Sequence, residues 1–312
     1  MCTAIYFKKY KHYFGRTLDL EYNYNEKIIY VPRNFNLLYR YNKSNNNHYS
    51  FFGIGIIENN YPLLYDGCNE KGLCIAGLNL PKSTTYNNYL SNKINICSFE
   101  IIPYILSNCE NCNEAKQLLS KINVTNDSFN NRYAVAKLHF MISDKNNCFV
   151  LEIINKSINI IDNPCNVLTN EPNFMFHLDN IKHYENINNE LINDYKGSQM
   201  IGLPGDNLSK SRFIKAYYNQ KYYLYDENNI SELFNIFNNL FELNGLCKIN
   251  NNQYYKTIYI VIYNMDDNCL YLKTYKNNEI FCINLFNNQT NDKLISHSIY
   301  IDEYIKKITL DN

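Results

Sequence analysis

The feature that most restricts the fold of this chain is the order in which its periodicities change along 312 residues. Strand-like runs come first. "CTAIYFKK" and "YFGRTLDL" flank "YKH" as an opening hairpin. "KIIYVP", "SFFGIGII" and "GLCIAGLNL" follow, rich in β-branched and aromatic residues and bounded by Asn, Gly and Pro. The spacing then becomes helical in "SFEIIPYILSN" and "CNEAKQLLSKI", with Ser98 as N-cap of the first and Asn111 or Asn113 of the second. Strands return in "AKLHFMISD", "CFVLEIIN", "SINIID" and "CNVLTN", and helices in "SRFIKAYYNQ" and "ISELFNIFNNL". "KTIYIVIYN", "CLYLKTY" and "EIFCINL" close the pattern, with "HSIYID" as a candidate further strand. Strand blocks separated by helix pairs do not have the rhythm of a parallel βαβ protein. They predict an α+β fold of four layers, αββα, in which two antiparallel sheets stack and helices cover the outer faces. No Pro/Gly/Ser-rich linker divides the chain, so residues 1–312 are read as a single domain, with "NKSNNNH" and "FNNQTND" as surface loops.

Charge narrows the partners. Lys+Arg and Asp+Glu both number 30, a formal net charge of zero, so no basic excess exists to release counterions from nucleic acid. Eleven cysteines run from Cys2 to Cys282 without framework spacing, behind no charged-then-apolar leader. No apolar run reaches the roughly 18–20 residues of a membrane helix. These features predict a cytoplasmic protein with reduced thiols. "CENC" (Cys109–Cys112) has the spacing of half a zinc site but lacks a second pair or histidine partners, and is read as a helix start. His177 is read as structural, and the glycosylation-like triplets at Asn42 and Asn123 as consequences of an Asn-rich composition. Neither a metal nor an organic cofactor is expected.

The N-terminus carries the chemistry. Removal of Met1 would leave Cys2 with both a thiol and a free α-amine, whose ordinary pKa values are about 8.5 and about 7.7–8.0. Near neutral pH that amine is substantially unprotonated and can act as general base toward its own thiol. In "FGRTLD", Arg16 and Asp19 return toward Cys2 after the turn; a guanidinium favours thiolate and a carboxylate can orient an amine. Asn79 in "AGLNLP" and Asn170 in "VLTNEP" end apolar stretches where asparagine is disfavoured as a strand residue, and an amide there is a candidate oxyanion donor. Arg212 opens a helix after "GLPGDNLSKS". Taken singly, each of these residues is an ordinary turn residue or surface charge.

Together they form a pattern. "MCT", "FGRTLDLEY", "VPRNF", "YDGCNEKGL", "AGLNLP", "LHFMISD", "VLTNEPNF" and "GLPGD…SRF", in this order, resemble the choloylglycine hydrolases, the bile salt hydrolases and penicillin V acylases of the N-terminal nucleophile superfamily. The resemblance implies the αββα N-terminal nucleophile hydrolase fold and hydrolysis of a linear amide through a Cys2 thioester. It implies that Arg16 steadies the thiolate, Asp19 binds the amine, Asn79 and Asn170 form the oxyanion hole, and Arg212 supports the network. Asn79 matches the motif of bile-salt-hydrolase-like members, where penicillin-acylase-like members tend to carry Tyr, so conjugated bile salts are the expected substrates. Leu18 matches a position facing the acyl pocket. Glu58 falls in a loop where family members present apolar substrate contacts, and a carboxylate there would tune specificity. Between His177 and Gly202 the chain is shorter than the family's inter-subunit arm, so a homo-oligomer is expected without the usual tetramer. Two other substrates remain open, penicillin V and another N-acyl amide such as an acyl homoserine lactone. So does a different class, a catalytically silent binder of a steroid or acyl ligand, which retention of Met1 would produce. Water or an amine could resolve the thioester, and the sequence does not choose between glycine and taurine conjugates.

Overall fold

The computed structural model describes residues 1–9, 11–188, 190, 200–224, 226, 229–284 and 292–303. The opening hairpin is β1 (Thr3–Lys8) and β2 (His12–Leu20), followed by β3 (Lys27–Val31), β4 (Phe51–Glu58), β5 (Tyr61–Asn69), β6 (Cys74–Asn79) and β7 (Ile94–Cys97). Helices α1 (Ile101–Asn108) and α2 (Cys112–Leu119) come next. Then follow β8 (Ile122–Thr125), β9 (Leu138–Ser143), β10 (Cys148–Ile154), β11 (Ser157–Asp162) and β12 (Val167–Leu168). Helices α3 (Phe174–Ile181), α4 (Ser209–Tyr222) and α5 (Ile230–Asn238) precede the last strands. These are β13 (Cys247–Asn250), β14 (Gln253–Asn264), β15 (Cys269–Thr274), β16 (Phe281–Asn284) and β17 (Ile295–Ser298).

One sheet runs β12-β1-β2-β14-β15-β16 with β13 beside β14; the other runs β11-β10-β9-β6-β5-β4-β3-β17. Their strand pairings are antiparallel, while β7 and β8 form a separate parallel pair. Burial alternation explains why four layers form. In β14, Ile258, Ile260 and Ile262 alternate with Tyr259, Val261 and Tyr263, and all six are buried, so both faces of the strand are covered. The tyrosine face looks onto the second sheet. The isoleucine face meets α5, where Gly15 of β2 gives Phe237 room: a Cβ at Gly15 would lie 2.6 Å from the ring. In the second sheet, Tyr30, Phe52, Met141 and Val150 join the core between the sheets. The intervening Ile29, Phe51, Phe140 and Phe149 pack with Ile102, Ile105, Leu106 and Leu119 of α1 and α2. The result is the expected αββα sandwich.

Asn111 caps α2, its side chain accepting from Glu114 N–H at 3.1 Å. Ser98 does not cap α1. A single 3₁₀ turn (Ser98–Glu100) precedes that helix with Cys97 in the cap position, and Cys97 N–H donates to the Glu100 carboxylate at 2.8 Å. Of the candidate strand "HSIYID", only His297 and Ser298 are extended, as the end of β17, which pairs with β3 in the second sheet. Elements that were not legible are β5, which carries Pro62 and Gly67, the short strands β7, β8 and β13, and α3, an eight-residue helix capped by Asn173 directly after Pro172. Of the shortened stretch between His177 and Gly202, residues 189 and 191–199 lie outside the described residues, as does most of the "FNNQTND" loop at 286–292. No helix among the described residues is long and apolar enough to cross a membrane.

Candidate active site

Register assembles the site. Thr3 pairs with Thr17 and Ala4 with Arg16, which brings the second strand's polar residues level with Cys2. Neighbouring side chains on a strand point to opposite faces. Arg16 therefore projects between the sheets, while Thr17 and Asp19 project toward α4.

Between the sheets, Arg16 is fully buried. Its Nη1 donates to the Tyr65 and Gly77 carbonyls at 3.0 and 3.1 Å and lies 3.4 Å from Asp66 Oδ2; Nε donates to Thr17 O at 3.2 Å. Asp66 also accepts from the Tyr259 hydroxyl at 2.5 Å and from the Tyr263 hydroxyl. Burial pushes the Asp66 carboxyl up, against the pull of Arg16 and both hydroxyls. Burial would lower the Arg16 pKa, but Cys2, then Tyr259 and Asp66, outweigh it and raise it. Nη2 of Arg16 has no hydrogen-bond partner among the described residues, which leaves a donor free for negative charge on the Cys2 sulfur.

On the helix side, Arg212 is also fully buried. Its Nε and Nη2 donate to the Thr3 and Thr17 hydroxyls at 3.1 and 3.0 Å, and Nη1 lies 2.6 Å from Asp19 Oδ2. Thr257 of β14 donates to Asp19 Oδ1 at 2.8 Å. Asp19 Oδ2 stands 3.8 Å from the Met1 ammonium. The carboxylate thus faces the N-terminal amine and is fixed on its other sides.

The third group lies across the strand ends. The Cys2 N–H donates to Asn170 Oδ1, and Asn170 Nδ2 donates to the Asn79 carbonyl at 2.9 Å. The two loops are clamped further by Glu171, which accepts from the Lys82 and Ser83 N–H groups at 2.7 and 2.9 Å and from the Ser83 hydroxyl at 2.8 Å. His177 Nε2 lies 2.9 Å from the Asn170 carbonyl, as a donor, and its ring stacks on Phe213 with centroids 4.7 Å apart. Burial lowers the His177 pKa to about 4, so it is neutral around pH 7.

Beside this polar cluster is a cavity of about 330 Å³, lined by Leu20, Ile56, Tyr65, Phe99, Phe129 and Leu138 among others. Two of these adjoin the cluster directly. Tyr65 supplies a carbonyl to Arg16, and Leu138 pairs with Asn79 across β9 and β6. The arrangement offers a nucleophile, a nearby cation, an anchored amine, an amide at the strand ends and an apolar recess. That is a set of parts suited to acyl transfer.

Of the residues expected from the sequence, Cys2, Arg16, Asp19, Asn170 and Arg212 are buried and share one connected network. Asn79 ends β6 exposed, and its carbonyl joins the network through Asn170. Leu18 is buried next to Arg16 in β2, but Leu20 is the residue of that strand in the cavity wall. Glu58 ends β4, where Ile56 supplies the wall. Cys109 and Cys112 are buried in the core under α1 and α2, and burial pushes Cys109 up to about 12. Sequence reasoning missed Asp66, Tyr259, Tyr263, Thr3, Thr17 and Glu242. Asp66 sat in "YDGCNEKGL", and the i, i+4 tyrosines of β14 share a face, so a signal existed for those; Glu242 in "NLFELNG" reads as a surface turn.

Comparison with known proteins gives the same picture. Residues 2–296 match the model of the linear amide C–N hydrolases, choloylglycine hydrolase family. A "Bile salt hydrolase/transferase" of Lactiplantibacillus plantarum is 36% identical, covering 91% of this chain and 92% of that protein. Another so named, of Clostridium perfringens, is 31% identical, with 100% and 99% covered. The crystal structure of the C2A mutant of conjugated bile acid hydrolase from Clostridium perfringens superposes with a TM-score of 0.92 at 28% identity, over 99% of this chain and 100% of that one. Penicillin V acylase from Agrobacterium tumefaciens shares the fold, with a TM-score of 0.78 at 17% identity over 97% and 94% of the two chains. On the sequence match, the fold and the assembled cluster together, this chain belongs to the choloylglycine hydrolase family of linear amide C–N hydrolases.

Proposed function

We propose that the chain cleaves the amide bond of glycine- or taurine-conjugated bile salts, with Cys2 as nucleophile and the amine exposed by loss of Met1 as base. The observation that carries this reading is the convergence on Cys2: its nitrogen on Asn170, its sulfur against Arg16, and an apolar cavity alongside. The thiol passes its proton to the α-amine as sulfur attacks the substrate carbonyl. Asn170 and Asn79 donate to the resulting oxyanion. The ammonium, held by Asp19, returns the proton to the departing amine, and water cleaves the thioester. The apolar lining suits a steroid acyl group, and the names of the relatives support that choice. Those names also read "transferase", which favours resolution of the same thioester by an amine as a second activity. All eleven cysteines are free, which supports a cytoplasmic setting.

The test is release of glycine or taurine from glycocholate and taurocholate, with penicillin V beside them, by parent and Cys2→Ala proteins whose N-termini are checked by mass. Release from the bile conjugates by the Met1-free parent alone is expected. Release from penicillin V only would overturn the substrate reading, and release that survives Cys2→Ala would overturn the mechanism.

A further inference from the structure

Beyond α5 the chain places Glu242 under α4, on the helix side of the site. It is 1% exposed, and neither carboxylate oxygen has a hydrogen-bond partner by geometry among the described residues. Its backbone is fixed against β14: the Glu242 N–H donates to Thr257 Oγ1 at 2.8 Å, and the Thr257 N–H donates to Glu242 O at 3.0 Å. The same Thr257 hydroxyl donates to Asp19 at 2.8 Å, so the two carboxylates are tied to one threonine. Glu242 Oε2 is 3.9 Å from Arg212 Nη1, which lies nearer to Asp19 at 2.6 Å. Packing alone gives no reason for a carboxylate here, because a neutral side chain would avoid the desolvation cost.

Charge balance gives one. Glu242 is faced by Asp19 of β2, Arg212 and Lys215 of α4, the Cys247 thiol at the start of β13, the Asn207 amide and the Met1 ammonium, whose place next to Cys2 the Cys2 amine takes over once Met1 is lost. Lys215 donates from Nζ to Asn207 Oδ1 at 2.9 Å and has Asp206 as its own carboxylate neighbour, so its charge is balanced apart from the Arg212 cluster. Arg212 and a protonated amine are therefore matched by two carboxylates, whereas Arg212 and a free amine need only one. We propose that Glu242 governs the protonation of the catalytic α-amine, its negative charge stabilising the ammonium that forms when the amine takes the Cys2 proton. It acts through Arg212 and Asp19 and touches no substrate, so it is a positioning residue. The inference rests on the reading of the Cys2 amine as base. Burial pushes the Glu242 carboxyl above its ordinary range, against the pull of Arg212.

A substrate-independent readout tests this. In Met1-free protein, the rate of Cys2 alkylation by iodoacetamide is followed against pH through the mass of the N-terminal peptide, in the parent, Glu242→Gln and Glu242→Asp. Loss of the charge lowers the pKa of a nearby amine and thiol, so Glu242→Gln is expected to move the alkylation midpoint down by about half a pH unit or more. Glu242→Asp, which keeps the charge, is expected to stay near the parent. An unmoved midpoint in folded Glu242→Gln, or equal shifts in both variants, overturns the proposal. Parent protein labelled with ¹³C at the glutamate carboxyls needs no substitution. A carboxyl resonance stepping at the alkylation midpoint supports the coupling, and the absence of one overturns it. Because alkylation needs no amide substrate, failure of the bile-salt reading is seen separately, in the hydrolysis assay.

Discussion

Two buried arginine–aspartate pairs flank the same strand, and they are built differently. Between the sheets, Arg16 and Asp66 lie 3.4 Å apart, with two carbonyls on the arginine Nη1 and two tyrosine hydroxyls on the aspartate. Under α4, Arg212 and Asp19 are closer, at 2.6 Å, yet Asp19 Oδ2 also faces the Met1 ammonium, and Glu242 stands 3.9 Å from the arginine with neither oxygen hydrogen-bonded among the described residues. The first pair is largely enclosed by fixed dipoles and leaves one arginine nitrogen without a hydrogen-bond partner among the described residues. The second is the cluster whose balance, in the proposal above, depends on a proton on the amine. A site that must move a proton needs both kinds of surroundings. In the proposed mechanism the first would hold charge on sulfur steady, and the second would respond when the amine gains or loses its proton.

The sharpest way to break the comparison is to remove each cation in turn. Arg212→Met leaves Asp19 and Glu242 buried without their counterion, and urea unfolding is expected to show a loss of about 3–5 kcal/mol. Arg16→Met leaves Asp66 with its two tyrosine donors, so its loss is expected to be smaller; equal losses would show that the pairs do not differ in this way.

A second expectation concerns the loop that carries Asn170. His177 titrates at about 4 in the folded chain and near 6.5 unfolded, so between those values the unfolded state binds more protons. Its contribution is complete above the unfolded value and falls as pH drops toward 4, by about 3 kcal/mol in all. Unfolding free energies at pH 4.5 and 7 should differ less in His177→Phe than in the parent; an identical slope would mean that this ring does not titrate on unfolding.

The smallest effect is expected from Tyr263→Phe. It removes one donor from buried Asp66 and should cost about 1–3 kcal/mol of stability, with Arg16 still in place. A neutral result would show that Tyr259 and Arg16 satisfy Asp66 without it.

These networks also show which parts of the molecule could be read from sequence. The hairpin of Cys2, Arg16 and Asp19 was legible because a two-strand register is a local property, set by the turn between β1 and β2. Most strands of the sheets were legible because alternation and turn residues mark them, but β5 was not, since Pro62 and Gly67 interrupt its pattern. Asp66 reaches Arg16 from the other sheet, and Glu242 reaches Arg212 from beyond α5. Both contacts join distant stretches, and no local pattern announces them. Asn170 was singled out because an amide at the end of "VLT" is out of place for a strand, whereas the His177 contact to its carbonyl depends on α3, a helix the pattern did not reveal. The cavity wall was legible only approximately. Leu18 and Glu58 lie on the right strands, but Leu20 and Ile56 are the residues of those strands that line the space.

The most direct test of the central claim is to trap the acyl group. Met1-free protein is mixed with glycocholate, quenched in acid within a turnover, and its N-terminal peptide weighed. A peptide heavier by the cholyl group, absent from Cys2→Ala, is the predicted result. Glycine release with no adduct on Cys2, or release that persists in Cys2→Ala, would contradict it.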